Sequence, residues 1–146
     1  MFTKVSRPLF CSYKATPTAG TLRDAIYGAA IADAMGVPYE FKARGSYAVA
    51  DTMVGHLTHN QEPGTFSDDT SMTLATCDSI RSTGTIDSAD IRSRFLTWMG
   101  DGYSDDASRR AGGKYTPDGV VFDVGGTTSR ALLEGHGCSG VRDNGN

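Results

Sequence analysis

A chain of 146 residues can bury a core of its own, since a domain of this length removes about 68–70% of its unfolded surface from water. Charged residues make up 21% and the formal net charge is −3, which excludes the clustered basic surface of a nucleic-acid-binding domain; no apolar run nears the ~20 residues that cross a bilayer. The opening residues carry Lys4 and Arg7 without the continuous apolar stretch of a secretory signal, so the composition predicts a cytoplasmic location.

Residues 1 to 20 mix Ser, Thr, Pro and Lys without periodicity and read as an extended or poorly ordered arm. Thr21 and Asp24 make a capping-box-like helix start, and Leu22, Ala25, Ile26, Ala29 and Asp33 then fall on one helical face. The helix should end near Gly36-Val37-Pro38, because glycine suits a C-cap and the residue before proline avoids the α region. Asp33, a carboxylate near the end of an apolar stripe, reads equally as a cap for the next turn or as a direct participant in chemistry.

Residues 42–66 read as a long loop with room for a short helix. His56 and His59 have a zinc-like spacing, but no second ligand pair accompanies them, and the metal reading is rejected. Cys11, Cys77 and Cys138 lie far apart, so neither a disulfide framework nor a zinc knuckle is indicated. From Ser67 the spacing of Met72, Ala75, Thr76, Ser79 and Ile80 predicts a helix to about Thr83, ended by Gly84. Asp87 and Asp90 open another, with Ile91, Phe95, Trp98 and Met99 on one face. A glycine-punctuated loop is expected from Gly100 to Gly126, and a last helix from about Thr127 through Leu133.

The chemistry concentrates in Gly64-Thr65-Phe66-Ser67-Asp68-Asp69-Thr70-Ser71-Met72. A hydroxyl and two adjacent carboxylates at a helix mouth offer the oxygen ligands that Mg²⁺ and Mn²⁺ prefer. They also make a good helix N-cap. Upstream, the Val37-Pro38 turn fixes Glu40 just beyond a helix end. Downstream, Phe122-Asp123-Val124-Gly125-Gly126-Thr127-Thr128 brings an aspartate and glycine-rich backbone to another helix start, where N–H donors can cradle an anion such as a phosphate.

In order and spacing these three segments resemble the ADP-ribosylglycohydrolase family, relatives of dinitrogenase-reductase-activating glycohydrolase, and Asp143-Asn144-Gly145-Asn146 resembles the opening of that family's Gly-Asn-Gly-x-x-Met-Arg segment. The resemblance implies an all-α, orthogonal helical fold over residues 21–146 and hydrolysis of the glycosidic bond between ADP-ribose and a modified target. It implies a dinuclear Mg²⁺ or Mn²⁺ centre, with Ser67, Asp68 and Asp69 as ligands, Ser67 standing where the family has Thr. Glu40 would lie beside the metals and Asp123 would orient the ribose; Gly125, Gly126, Thr127 and Asn146 would bind substrate, with Gly126 where an Asn is common. The partner would be an ADP-ribosylated substrate or ADP-ribose.

The family's Asp-x-Asp-Thr segment has no counterpart here, and Asp105-Asp106 cannot replace it. The chain is therefore expected to be an N-terminal portion, inactive alone, that self-associates or draws its remaining ligands from a second polypeptide. Two other readings stay open. One is a noncatalytic, degenerate binder of ADP-ribose. The other is a sugar-kinase-like phosphate site, in which residues 120–124 would be a strand delivering Asp123 to a nucleotide.

Overall fold

The computed structural model describes residues 20–48, 50–102, 114–116 and 120–134. Among these the protein is helical and contains no strand: α1 is Leu22–Gly36, followed by a 3-10 turn at Val37–Tyr39; α2 is Asp68–Thr83, α3 is Ser88–Gly102 and α4 is Gly126–Glu134. The expected arm over residues 1–20 falls, up to residue 19, outside the described residues, as do Asp105, Asp106, Cys11, Cys138 and Asn146. Residues 120–125 are neither strand nor helix, which removes the ground for the sugar-kinase-like reading. No described helix is long and apolar enough to cross a membrane.

Local caps set the starts of α1 and α3. The Thr21 backbone N–H donates to Asp24 Oδ2 at 2.7 Å, and the Asp24 N–H donates back to Thr21 Oγ1 at 3.3 Å, closing the capping box. Asp87 Oδ1 accepts from the N–H groups of Ala89 and Asp90 at 2.9 and 3.2 Å. Gly84 ends α2 in the left-handed conformation at φ 72°, donating its N–H to the Ile80 carbonyl.

Helix α1 ends at Gly36, as expected, but without the expected cap conformation. Gly36 stays right-handed, and Val37, although it precedes a proline, also sits in the α region at φ −42° and donates to the Asp33 carbonyl. Val37 is 2% exposed, and burying it holds the chain in a conformation the following proline disfavours. The predicted face of α1 is also displaced. Leu22 is 76% exposed and Ala25 and Ala29 are exposed, while Ala34 and Val37 carry the burial at the other end.

Helix α2 packs against both α1 and α3. Its buried stripe is Ser71, Ala75 and Ser79, not the larger Met72 and Ile80; Met72 is half-buried and Ile80 exposed. Small side chains let neighbouring backbones approach closely, and the two hydroxyls are satisfied, Ser71 Oγ by the Ser67 carbonyl and Ser79 Oγ by Asp90 Oδ2. The apolar core lies between α3 and α4: Trp98, Met99, Val121 and Leu132 are buried, with Met72, Phe95, Leu96, Tyr115 and Val124 around them. Helix α3 runs to Gly102, two residues further than its glycines imply.

Ser67 is the N-cap residue of α2, yet its side chain makes no capping bond. The cap comes from Asp33, near the end of α1. Asp33 Oδ1 and Oδ2 accept from the Ser67 N–H at 3.2 and 3.1 Å; Oδ1 also takes the Ser67 hydroxyl at 2.7 Å, and Oδ2 the Thr70 N–H and hydroxyl at 3.1 and 2.6 Å. Asp33 is thus a cap, but of a helix 34 positions on and not of the next turn. Farther along, Asp78 on α2 receives Arg81, Arg94 from α3 and the Tyr115 hydroxyl, and Arg94 also donates to Asp90.

Replacing Asp33 by Ala should orphan the buried Ser67 and Thr70 donors together and cost roughly 2–4 kcal/mol, read from urea denaturation. The Tyr115 hydroxyl, then Arg81 and Arg94, lower Asp78 from 3.8 to about 2. Its stabilising contribution is therefore complete above 3.8 and lost as pH falls through about 2. Acid unfolding profiles should show Asp78→Asn losing that segment of the pH dependence, with both proteins converging near pH 2.

Candidate functional site

Three chain segments meet in front of α2. The first is the turn after α1, which carries Glu40. The second is the 55–61 loop, shaped by Gly55: a Cβ there would lie 2.5 Å from the Gln61 carbonyl oxygen, to which His56 N–H bonds at 2.7 Å. Thr58 staples this loop to the turn, its hydroxyl donating to the Pro38 carbonyl at 3.0 Å or to the Glu40 carbonyl at 2.9 Å. The adjacent residue, His59, is thereby set against Glu40, with Nε2 2.5 Å from Oε2.

The third segment precedes α4. Val121 is buried and Val124 packs on the same core, so the residues between them face the other way. Phe122 meets the His59 ring at 5.3 Å, opposite in sequence to Phe41 at 5.8 Å, and Asp123 Oδ1 stands 3.7 Å from His59 Nε2. Asp123 takes a left-handed backbone at φ 55°, uncommon outside glycine. One ligand atom from each of Glu40, His59 and Asp123 lies within 4.8 Å of the others, a group that could hold a metal ion.

The carboxylates crowd one another. Burial, followed by the Asp123 hydrogen bond, pushes Glu40 up to about 7, against the opposing pull of His59. Asp68 is also raised, by burial first and then by the charges of Asp69 and Asp123, while Ser67 and the Gly125 N–H act to lower it. Asp69 faces a cleft of about 500 Å³ that Asp33, Glu40, Tyr39 and Tyr47 also line.

Of the residues singled out by sequence, Glu40 and Asp123 are brought together, and Asp68 is linked to them through Asp123 and Gly125. Asp69 shares the cleft with Glu40. Ser67 is 4% exposed, its hydroxyl given to Asp33. Gly126 begins α4, Gly125 accepts from the Ser129 N–H just ahead of it, and Thr127 is in the first turn. His59 also belongs to the site, although in the sequence its zinc-like spacing pairs it with His56. That residue bonds instead to Asn60 and Glu62. Nothing within a few residues of His59 points to Glu40, which lies 19 positions away.

A family model described as ADP-ribosylglycohydrolase matches residues 16–146. The chain belongs to the ADP-ribosylglycohydrolase family. It is 34% identical over 119 residues to the ADP-ribosylarginine hydrolase Tri1 of Serratia proteamaculans, covering 80% of this chain and 29% of that protein. It is 37% identical over 79 residues to the ADP-ribosyl-[dinitrogen reductase] glycohydrolase of Rhodospirillum rubrum, covering 51% and 27% respectively. A second Tri1, from Pseudomonas putida, is 33% identical over 125 residues, covering 83% and 30%. The chain thus spans less than a third of the length of each of these relatives. The helical, strand-free arrangement of the described residues agrees with the all-α fold that the family resemblance implies.

Glu40 binds its proton more tightly folded, at about 7, than at its ordinary value of 4.5, so its contribution to stability is complete below 4.5 and lost as pH rises through about 7. The metal-free chain should therefore become less stable across that interval, and Glu40→Gln should flatten the profile, as followed by chemical denaturation in EDTA.

Proposed function

We propose that this chain carries part of a metal-dependent hydrolase site that cleaves the glycosidic bond between ADP-ribose and a modified side chain, arginine being the one for which the two Tri1 relatives are named. The observation that carries the reading is the crowding of Glu40, Asp68, Asp69 and Asp123. Among the described residues, the groups acting on Glu40 and Asp68 are carboxylates, a histidine, a hydroxyl and a backbone N–H, with no lysine or arginine. Burial and mutual repulsion of this kind are what a divalent cation relieves.

The oxygens of Ser67, Asp68 and Asp69 are a hard donor set suited to Mg²⁺ or Mn²⁺, and these three residues would hold the metal. When bound, a divalent ion polarises substrate oxygens and lowers the pKa of a coordinated water. Asp33 prepares that set, since drawing the Ser67 proton toward itself leaves the hydroxyl lone pairs free. Asp123, held outward by the burial of Val121, is placed to accept from a ribose hydroxyl. N–H groups of Gly126 and Thr127, in the first turn of α4, offer donors to a pyrophosphate, while the Gly125 N–H beside them is given to Asp68.

Hydrolysis breaks the bond from the anomeric carbon to the leaving nitrogen; that carbon gains the hydroxyl of water and the nitrogen gains a proton. Glu40, held against His59 and beside Asp123, is the group placed to pass that proton. The described residues form one wall of such a site, and the 146-residue chain alone is expected to bind with little turnover.

Calorimetric titration with ADP-ribose should show binding that Mn²⁺ strengthens and that Asp68→Asn weakens by more than about tenfold. Binding indifferent to both chelation and this substitution would reject the metal assignment and leave a noncatalytic reader. A flat titration would reject the ADP-ribose assignment itself.

A further inference from the structure

The cleft in front of Asp69 has a wall that the hydrolytic chemistry leaves unused. Tyr39 and Tyr47 stack there, ring centroids 4.6 Å apart and planes 16° from parallel, one from the turn after α1 and the other from the loop that follows. Both line the same space of about 500 Å³ as Asp33, Glu40 and Asp69, and the remaining lining residues are Met35, Gly36, Ala50 and Thr52. Among the described residues, three carboxylates and two tyrosines line this cleft, and no lysine or arginine does.

An aromatic face beside carboxylates is a receptor for a cation, because the negative face of the ring and the acidic groups attract the same charge. The pair already draws one in: Lys42 Nζ stands 6.0 Å from the Tyr39 ring centroid. Among biological cations a guanidinium suits this setting better than an ammonium, being planar, weakly hydrated and able to stack on a ring while its edge donates to carboxylates. Tyr47, in a loop and 36% exposed, is the more accessible ring of the two. Glu40 joins this cleft to the His59 and Asp123 cluster, so a group bound on the tyrosines lies next to the residues assigned to ribose and proton transfer.

We infer that the stacked Tyr39–Tyr47 pair selects the leaving group, receiving the planar guanidinium of an ADP-ribosylated arginine while its edge faces the cleft carboxylates. The inference rests on the ADP-ribose reading above and adds to it a specificity-determining surface. A neutral leaving group, such as a serine hydroxyl, gains nothing from this wall.

The test compares two ligands on the 146-residue chain in the presence of Mg²⁺: ADP-ribose, and a non-hydrolysable carbocyclic analogue of ADP-ribosylarginine. The wild-type chain should bind the arginine analogue about tenfold more tightly than ADP-ribose. Tyr47→Leu, which keeps apolar bulk without a ring, should bring that ratio close to one while leaving ADP-ribose affinity in place. Tyr47→Phe should keep the ratio within about twofold, since the ring quadrupole is retained. A thermal melt of each variant confirms that the half-exposed position has not cost the fold. A wild-type ratio near one, a ratio untouched by Tyr47→Leu, or an equal fall in both variants would overturn the inference while leaving ADP-ribose binding intact. Failure of both ligands to bind would instead overturn the ADP-ribose reading, and this inference with it.

Discussion

The arrangement in front of α2 depends on one carboxylate, Asp33. The first turn of a helix carries backbone N–H groups with no partner inside the helix. In α1 and α3 a residue at the mouth itself supplies the acceptor, Thr21 in the one and Asp87 in the other. In α2 the acceptor arrives from another helix, 34 positions earlier, and satisfies two N–H groups and two hydroxyls at once. That division of labour has a chemical consequence. Because Asp33 does the capping, Asp68 and Asp69 are not consumed by it, and both are turned toward the space where Glu40 and Asp123 also stand.

Around this anchor, elements with no regular structure are placed by a few specific contacts. Thr58 ties the 55–61 loop to the turn after α1, Gly55 allows the loop to close on itself, and the rings of Phe41 and Phe122 flank His59. The core between α3 and α4 acts on the same site from behind, since burying Val121 and Val124 turns Asp123 outward. Hydrophobic packing thus decides where the carboxylates stand, and electrostatics decides what state they hold. The two effects meet at Glu40, where burial outweighs the favourable histidine and leaves the proton near neutral pH.

How much of this was legible beforehand varied with the range of the signal. The existence of all four described α-helices, the capping box at Thr21 and Asp24, and the left-handed Gly84 end follow from residues within one turn of each boundary. The buried faces followed only in part. On α3 the predicted Trp98 and Met99 are buried, and on α2 so are the predicted Ala75 and Ser79, but Met72 is half-buried and Ile80 exposed while Ser71 is buried, because close helix approach rewards small side chains over large ones. On α1 the stripe around Leu22 is largely exposed and burial gathers at Ala34 and Val37. Glu40 and Asp123 were recognisable through the order and spacing of their motifs, but His59 was not, since its partner in the fold is Glu40 and its apparent partner in sequence is His56.

The sequence by itself determined the existence of the described helices, the acidic pair at the mouth of α2 and the family to which the motifs belong, because each is written in residues that are neighbours along the chain. Tertiary structure alone decided that Asp33 caps α2, that His59 joins Glu40 and Asp123, that Asp78 gathers Arg94 and Tyr115, and that Tyr39 stacks on Tyr47. Most of these pairings join different segments, with separations of 16 to 37 residues in the Asp33, Glu40–His59 and Asp78 contacts. Over such distances no local propensity acts; the packing of α1, α2 and α3, together with loop contacts such as the Thr58 staple, brings the partners within hydrogen-bond reach.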